Sequence, residues 1–515
     1  MHYAGWLGSP ADHNIYLMWM RQAAEGAWLF ENRMTTEAHR AILFLPLWLI
    51  LGKLAGWLQL SPILIYHIAA VLVRLLLLLT VYHFASHFFL SPIRRKTALI
   101  LVSLSSGLGW LFGLLALLSG EGRFVLMSID LRAHEAITFR ILHQNLHTTL
   151  AVTFMLGAMT GLWLVFKTKK WAYALAAALL SLAVAAIHPH LILSMALSLV
   201  IFWLFLAWKT QRFPLELLPF YGLAFLAPLP LLAYYLYLGT QEPVWRDTFA
   251  LASLPAGQVT EYIYGYGLIW PLALLGSWAA LARKRSGDLF MLAWLLAVGL
   301  LLLIPVSQPI RFLEGVHIPL VMLMTRGLFL SLIWLKSRSG LWSKYLSFFK
   351  LRTAVITFIV LITLPTNLAL LANSLFIHGH LDDFPTYLSL DTVAAINWLA
   401  QHTRPAEPIL ASFITSNMLP GRSGNKVFAA DWTHTLKADQ KRSQIRWFFH
   451  DHEDNQARRT FLFKHGIRYV FYGPYEAGLG PFDLEQAPYL QPRYHNATVT
   501  IYEVVDDYSA GRKSD

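Results

Sequence analysis

Apolar residues in this chain come in long unbroken runs. Ten of them, at 63–90, 97–119, 147–166, 171–187, 188–208, 214–239, 264–282, 289–306, 315–335 and 353–375, each approach the ~20 residues that cross a hydrocarbon core. They predict ten membrane-spanning helices. An eleventh run, Ala41 to Leu58, is barely long enough to span and holds Pro46, Gly52, Lys53 and Gly56. That content suits a helix lying in the interface or re-entering it. Residues 1–62 therefore read as one structured loop ahead of the first span. A loop of this size normally follows a span, so either a first helix is missing from the chain or its N-terminus is translocated without one. No cleavable signal peptide is found.

After Asn373 the pattern changes to charged residues, turn signals and short alternating runs. Asp391 to His402 has helical spacing, with Val393, Ile396 and Leu399 facing inward. Ile409 to Phe413, Tyr469 to Tyr472 and Thr498 to Val504 predict strands, and helices are expected near 436–449 and 455–465. Gly/Pro-rich loops fall at Pro420 to Asn425 and Gly473 to Pro481, and Asp507 to Asp515 is expected to fray. The chain thus divides into a transmembrane domain, 1–375, and a soluble α/β domain, 376–515, of ordinary domain size.

Composition agrees with the pattern. Of 515 residues, 56% are hydrophobic and 14% charged, too apolar for a soluble protein of this length. The absence of cysteine excludes disulfides, thiolate metal sites and thiol nucleophiles. The net charge of +12 is uneven: residues 376–515 hold 14 Lys+Arg against 16 Asp+Glu, and residues 1–375 hold 27 against 13. The basic groups sit at Arg94 to Lys96, Lys167 to Lys170, Lys209 to Arg212, Arg283 to Arg285 and Lys336 to Arg352. Successive clusters are two spans apart, so all five can be cytoplasmic, the positive-inside pattern of a multi-pass plasma (inner) membrane protein. Short clusters between apolar runs exclude a nucleic-acid surface. Residues 1–62, the loops 120–146, 240–263 and 307–314, the His188-Pro189-His190 turn and the C-terminal domain then face outward.

The acidic residues of the membrane part are lopsided: of the 13, only Glu216 and Asp288 fall on the cytoplasmic side. Asp12, beside His13 and Asn14, precedes an amphipathic stretch from Ile15 to Glu25. Its carboxylate suits either a helix N-cap or a general base. If the second loop is helical from Glu135, then Glu135, Phe139, His143 and His147 share one stripe, able to bind a phosphate or a metal, or simply to stack at the interface. Arg311, at the outer end of a span, suits either a phosphate oxygen or snorkelling to headgroups. Arg74 lies inside a span, where a charge faces a polar cavity or snorkels. His188 and His190 bracket a proline in a tight outer turn, which is compatible with a purely structural role.

With an acidic first outer loop, a Pro-containing juxtamembrane helix, many spans and a soluble C-terminal domain, the chain resembles the GT-C superfamily of integral-membrane glycosyltransferases. It is most similar to the bacterial relatives of dolichyl-phosphate-mannose protein mannosyltransferases and aminoarabinose transferases. The likeness is carried by Asp12 with its helix, Phe44-Leu45-Pro46-Leu47 to Gly52, the Tyr66 to Arg74 helix, Glu135 to His147 and Arg311-Phe312-x-x-Gly315. Where members often carry an acidic pair, this chain has Asp12-His13. The resemblance implies an α-helical polytopic fold and inverting transfer of a sugar from a polyprenyl-phosphate donor to a hydroxyl of a glycan, lipid or protein. Asp12 would be the base and Glu135 a second catalytic-site group. Arg311, His143, His147, Arg74 and His13 would hold the lipid phosphate. No cofactor is fixed by these residues, and a divalent metal ion is compatible with them. The competing class, a flippase for lipid-linked saccharides, would favour internal repeats and midplane charges. Neither pattern is visible.

Overall fold

The computed structural model describes residues 1–6, 9–43, 45–249, 255–338, 348–377, 384–405, 407–450 and 454–505. The expected frayed end, the middle of the 240–263 loop and much of the Lys336–Arg352 basic stretch lie outside the described residues.

Among the described residues, six helices are long and apolar enough to cross a membrane: Pro62–Phe88, Pro92–Ser119, Leu146–Thr168, Leu191–Thr210, His317–Ser337 and Phe349–Phe376. Two bent pairs, Leu215–Leu226 with Leu229–Gln241 and Val259–Tyr266 with Ile269–Arg283, bring the number to eight if each is one span. The shorter apolar helices Trp171–Ile187 and Ser286–Leu301 fill the two remaining expected runs. The protein is therefore a helical multi-pass membrane protein, as the apolar runs predict. Helices are required because lipid offers backbone N–H and C=O groups no partner. The Ala41–Leu58 run forms only a 13-residue helix, Pro46–Leu58. At ~1.5 Å per residue it falls short of a ~30 Å core.

One expected span, 97–119, is interrupted. Helix runs over Pro92–Leu104 and again over Gly109–Ser119, and Ser105 is extended between them. The gap is held by Asp130, whose Oδ2 accepts from Ser106 Oγ at 3.0 Å, Gly107 N at 3.0 Å and Gly109 N at 3.2 Å. Its Oδ1 accepts from Ser128 Oγ at 2.5 Å. Glycine is needed at 107 because a Cβ there would lie 2.1 Å from the Gly265 carbonyl oxygen.

Contacts divide the chain into two compact units: Met1–His67, Tyr235–Ala252 and Ser374–Asp515 in one, Ile68–Tyr234 and Ser253–Asn373 in the other. The first contains a four-stranded sheet in the order Ile409–Leu410, Tyr469–Tyr472, Thr500–Val504, Leu490–His495, with the first pair parallel and the rest antiparallel. Its core gathers Phe428, Phe448, Phe449, Leu462 and Val470. The strand expected at Ile409–Phe413 stops at Leu410, because Ser412 caps a helix, Phe413–Arg422, by accepting the Thr415 N–H at 3.1 Å. That helix absorbs Pro420 and Gly421, which had read as loop. The edge strand Leu490–His495 was not expected, and its Pro492 fits only an edge.

The first 62 residues fold onto this domain within the same unit. His2 and Tyr3 pair with Leu388 and Tyr387. Val427 N donates to the Arg33 carbonyl at 2.9 Å, and Thr435 Oγ1 donates to Met34 O at 2.8 Å. The Lys441 ammonium, buried, reaches Glu37 at 2.8 Å and Thr35 Oγ1 at 3.1 Å.

In the second unit the helices Ile269–Arg283 and His317–Arg338 cross with backbones touching. A Cβ on Gly327 would lie 1.9 Å from Leu272 O, and one on Gly276 would lie 2.0 Å from Leu323 O. Small residues allow this approach where no hydrophobic force drives helix association.

Candidate functional site

Within the first unit, Asp12 lies in the first turn of the helix Pro10–Ala24. The N-cap position belongs to Ser9, at φ 43°, with Pro10 following it, so the N-cap reading of Asp12 is excluded. The Asp12 side chain is exposed. Its neighbour His13 is buried, with Nδ1 donating to Ser9 O at 2.9 Å and Nε2 accepting from Tyr66 O–H at 2.9 Å. Both ring nitrogens are thus engaged in holding the turn. Trp6 stacks on the His13 ring at 4.7 Å and Tyr16 stacks on Trp48 at 4.4 Å.

The helix is fixed from two further sides. Asn14 Nδ2 donates to Asn417 Oδ1 at 2.9 Å, both side chains buried. The helix Pro46–Leu58 packs through its glycines, a Cβ at Gly52 meeting Met20 O at 2.3 Å and one at Gly56 meeting Ala24 O at 2.7 Å.

The second unit holds a polar cluster around Glu314, a buried carboxylate. His188 Nδ1 hydrogen-bonds Glu314 Oε2, and His190 Nε2 lies 3.5 Å from Glu314 Oε1 without a hydrogen bond. Glu314 sits where the Pro309–Leu313 turn ends, followed by Gly315 at φ 81°, where a Cβ would strike Met155 Cε at 2.4 Å. Burial raises the Glu314 carboxyl, but the charges of His188 and His190 and the hydrogen bond of His188 outweigh it and hold the group well below the usual range. Burial lowers His190, against the pull of Glu314. The His147 ring stands edge-on to His188 with centroids 5.1 Å apart. Arg311, half-buried and donating to Gln308 Oε1, acts electrostatically on His190 and on His134. Glu135 is buried with its carboxylate 3.3 Å from His134 Nε2.

The expected Glu135–His147 stripe does not exist as one helix. Glu135 lies in a short 3-10 turn, Ile137 and Asn145 are extended, and only Thr138–Gln144 is helical between them. His147 opens the next helix and joins the Glu314 cluster, whereas His143 stays at the end of Thr138–Gln144. There Arg74 donates from Nε to Leu142 O at 2.6 Å and from Nη2 to His143 O at 3.3 Å, satisfying helix C-terminal carbonyls. Sequence reasoning gave His188 and His190 no more than a structural role and left Glu314 without one. The available signal was a His-x-His turn and an isolated carboxylate at two span ends of the same side. Nothing in one sequence pairs them.

No protein-family model and no curated protein matches the chain. Among solved structures, ArnT from Cupriavidus metallidurans bound to undecaprenyl phosphate aligns over 96% of this chain and 93% of that one, at 12% identity and a TM-score of 0.54. The oligosaccharyltransferase AglB from Archaeoglobus fulgidus, in complex with an inhibitory peptide and a dolichol-phosphate, aligns over 98% and 71%, at 13% identity and a TM-score of 0.51. The Archaeoglobus oligosaccharyltransferase in complex with Zn and sulfate aligns over 96% and 69%, at 13% identity and a TM-score of 0.51. The chain has the fold of GT-C membrane glycosyltransferases.

Proposed function

We propose that this protein is a membrane glycosyltransferase that moves a sugar from a polyprenyl-phosphate donor to an acceptor hydroxyl, with inversion, on the extracytoplasmic face. The observation that carries the reading is the fold shared, over 96% of the chain, with an ArnT bound to undecaprenyl phosphate. The spacing of the basic clusters supports the orientation.

Asp12 is assigned as general base. It takes the proton of the acceptor hydroxyl while that oxygen bonds to the anomeric carbon, and the bond from that carbon to the phosphate oxygen breaks. The lipid phosphate leaves with the electron pair. Cationic groups at the phosphate stabilise the charge growing there, and Arg311 is assigned this role. His13 is assigned to positioning, since it fixes the turn that carries Asp12. Glu135, His143, His147 and Arg74 keep supporting roles around the donor in this reading.

General-base catalysis contributes typically 10²–10⁴-fold. Asp12→Asn is therefore expected to lower sugar transfer about 100-fold or more, with membrane insertion and melting temperature unchanged. Near-normal transfer by that variant, measured with labelled donor in membranes, contradicts the assignment.

A further inference from the structure

We infer that His188, His190 and Glu314 form a binding site for one divalent ion of the zinc class. One ring nitrogen from each imidazole and one carboxylate oxygen lie within 4.8 Å of one another. Zinc bound at about 2.0–2.2 Å to nitrogen and oxygen places neighbouring tetrahedral ligands roughly 3.3–3.5 Å apart. The 3.5 Å between His190 Nε2 and Glu314 Oε1 matches that edge and is long for a hydrogen bond between them.

The chemistry of the donors selects the ion. Imidazole nitrogen with a carboxylate suits zinc and its transition-metal neighbours, whereas magnesium and calcium prefer all-oxygen cages. The donors are also preorganised. Pro189 fixes the turn between the two histidines, and Gly315 allows the backbone to bend directly after Glu314. Glu314 and His188 are almost fully buried, so little ordering remains to be done when an ion binds. Three protein ligands leave one coordination position for water or an anionic oxygen, as in catalytic rather than structural zinc sites. A phosphate oxygen is the natural occupant of such a position.

The inference does not depend on the transfer reaction, because metal binding is measured directly. Tag-free protein in detergent would be stripped with chelator and re-equilibrated with zinc, and the bound metal would be counted by elemental analysis across a zinc titration. The wild type is expected to bind one tight equivalent. Glu314→Gln and His190→Gln are expected to weaken that binding at least tenfold. His190 Nε2 has no hydrogen-bond partner, so its replacement breaks no hydrogen bond at that atom and keeps the test decisive if Glu314→Gln misfolds. A control is built into the protein: His83 and His87 form an exposed pair with Nε2 atoms 3.2 Å apart. Replacing both with Ala should leave the tight equivalent unchanged. Unaltered zinc binding in His190→Gln, or loss of the tight equivalent in the His83/His87 double variant, overturns the assignment. So does a wild type that binds no stoichiometric zinc, which would leave the cluster as a hydrogen-bonded tie between two turns.

Discussion

Asp12 and His13 are chain neighbours in opposite surroundings: one carboxylate exposed, one imidazole buried with both nitrogens bonded. Tyr66→Phe removes one of those bonds, which costs about 1 kcal/mol. It should lower transfer several-fold through kcat rather than KM, because the donor contacts remain. Asp130 is the more demanding residue, since two hydroxyls and two backbone N–H groups converge on it in a buried gap. Burial raises its carboxyl, while those four donors pull it down. Asp130→Ala strands all four and is expected to cost about 3–5 kcal/mol, read as a loss of melting temperature in detergent. Neither arrangement was legible in the sequence. Asp12 resembled an N-cap because Ser9 adopts a left-handed conformation that no local pattern announces. Asp130 looked like one more outward acid, and its partners Ser106 to Gly109 lay inside a run that read as unbroken helix.

The helices were legible wherever one property decided them. Apolar length alone placed a helix in each of the ten runs, and the Ala41–Leu58 run holds a shorter helix of 13 residues, Pro46–Leu58. Breaks were not legible, because Ile137 and Asn145 are ordinary residues in extended conformations. Glycine is where packing shows through. Gly327→Ala drives a Cβ into the Leu272 carbonyl and should destabilise the crossing by about 2–3 kcal/mol, seen as a lower yield of monodisperse protein. The contact of the Glu31–Arg40 stretch with the sheet domain has a pH signature. Burial would raise Glu37, but the Lys441 and Thr35 bonds hold it below the usual range. Asp431 is likewise lowered, its burial outweighed by His434 and Thr433. A depressed folded-state pKa gives stability that is present above the unfolded value, near pH 4, and lost as pH falls through the folded one. The melting temperature should therefore drop below about pH 4, and Glu37→Gln should flatten that drop while lowering stability near pH 7 by about 2 kcal/mol.

At the scale of the whole molecule, hydropathy and charge spacing sufficed for a multi-pass membrane protein, and the shared GT-C fold agrees with the resemblance read from the chain. The Glu314 cluster escaped because its carboxylate lies more than a hundred residues from its imidazoles and meets them only through packing. The reading of glycosyl transfer against mere translocation comes down to the fate of one bond in the donor. Purified protein in proteoliposomes, supplied with polyprenyl-phosphate sugar labelled in the sugar, should release free lipid phosphate in step with labelled acceptor, and Asp12→Asn should do neither. Donor that crosses the bilayer with its sugar still attached, equally in wild type and Asp12→Asn, would contradict the account.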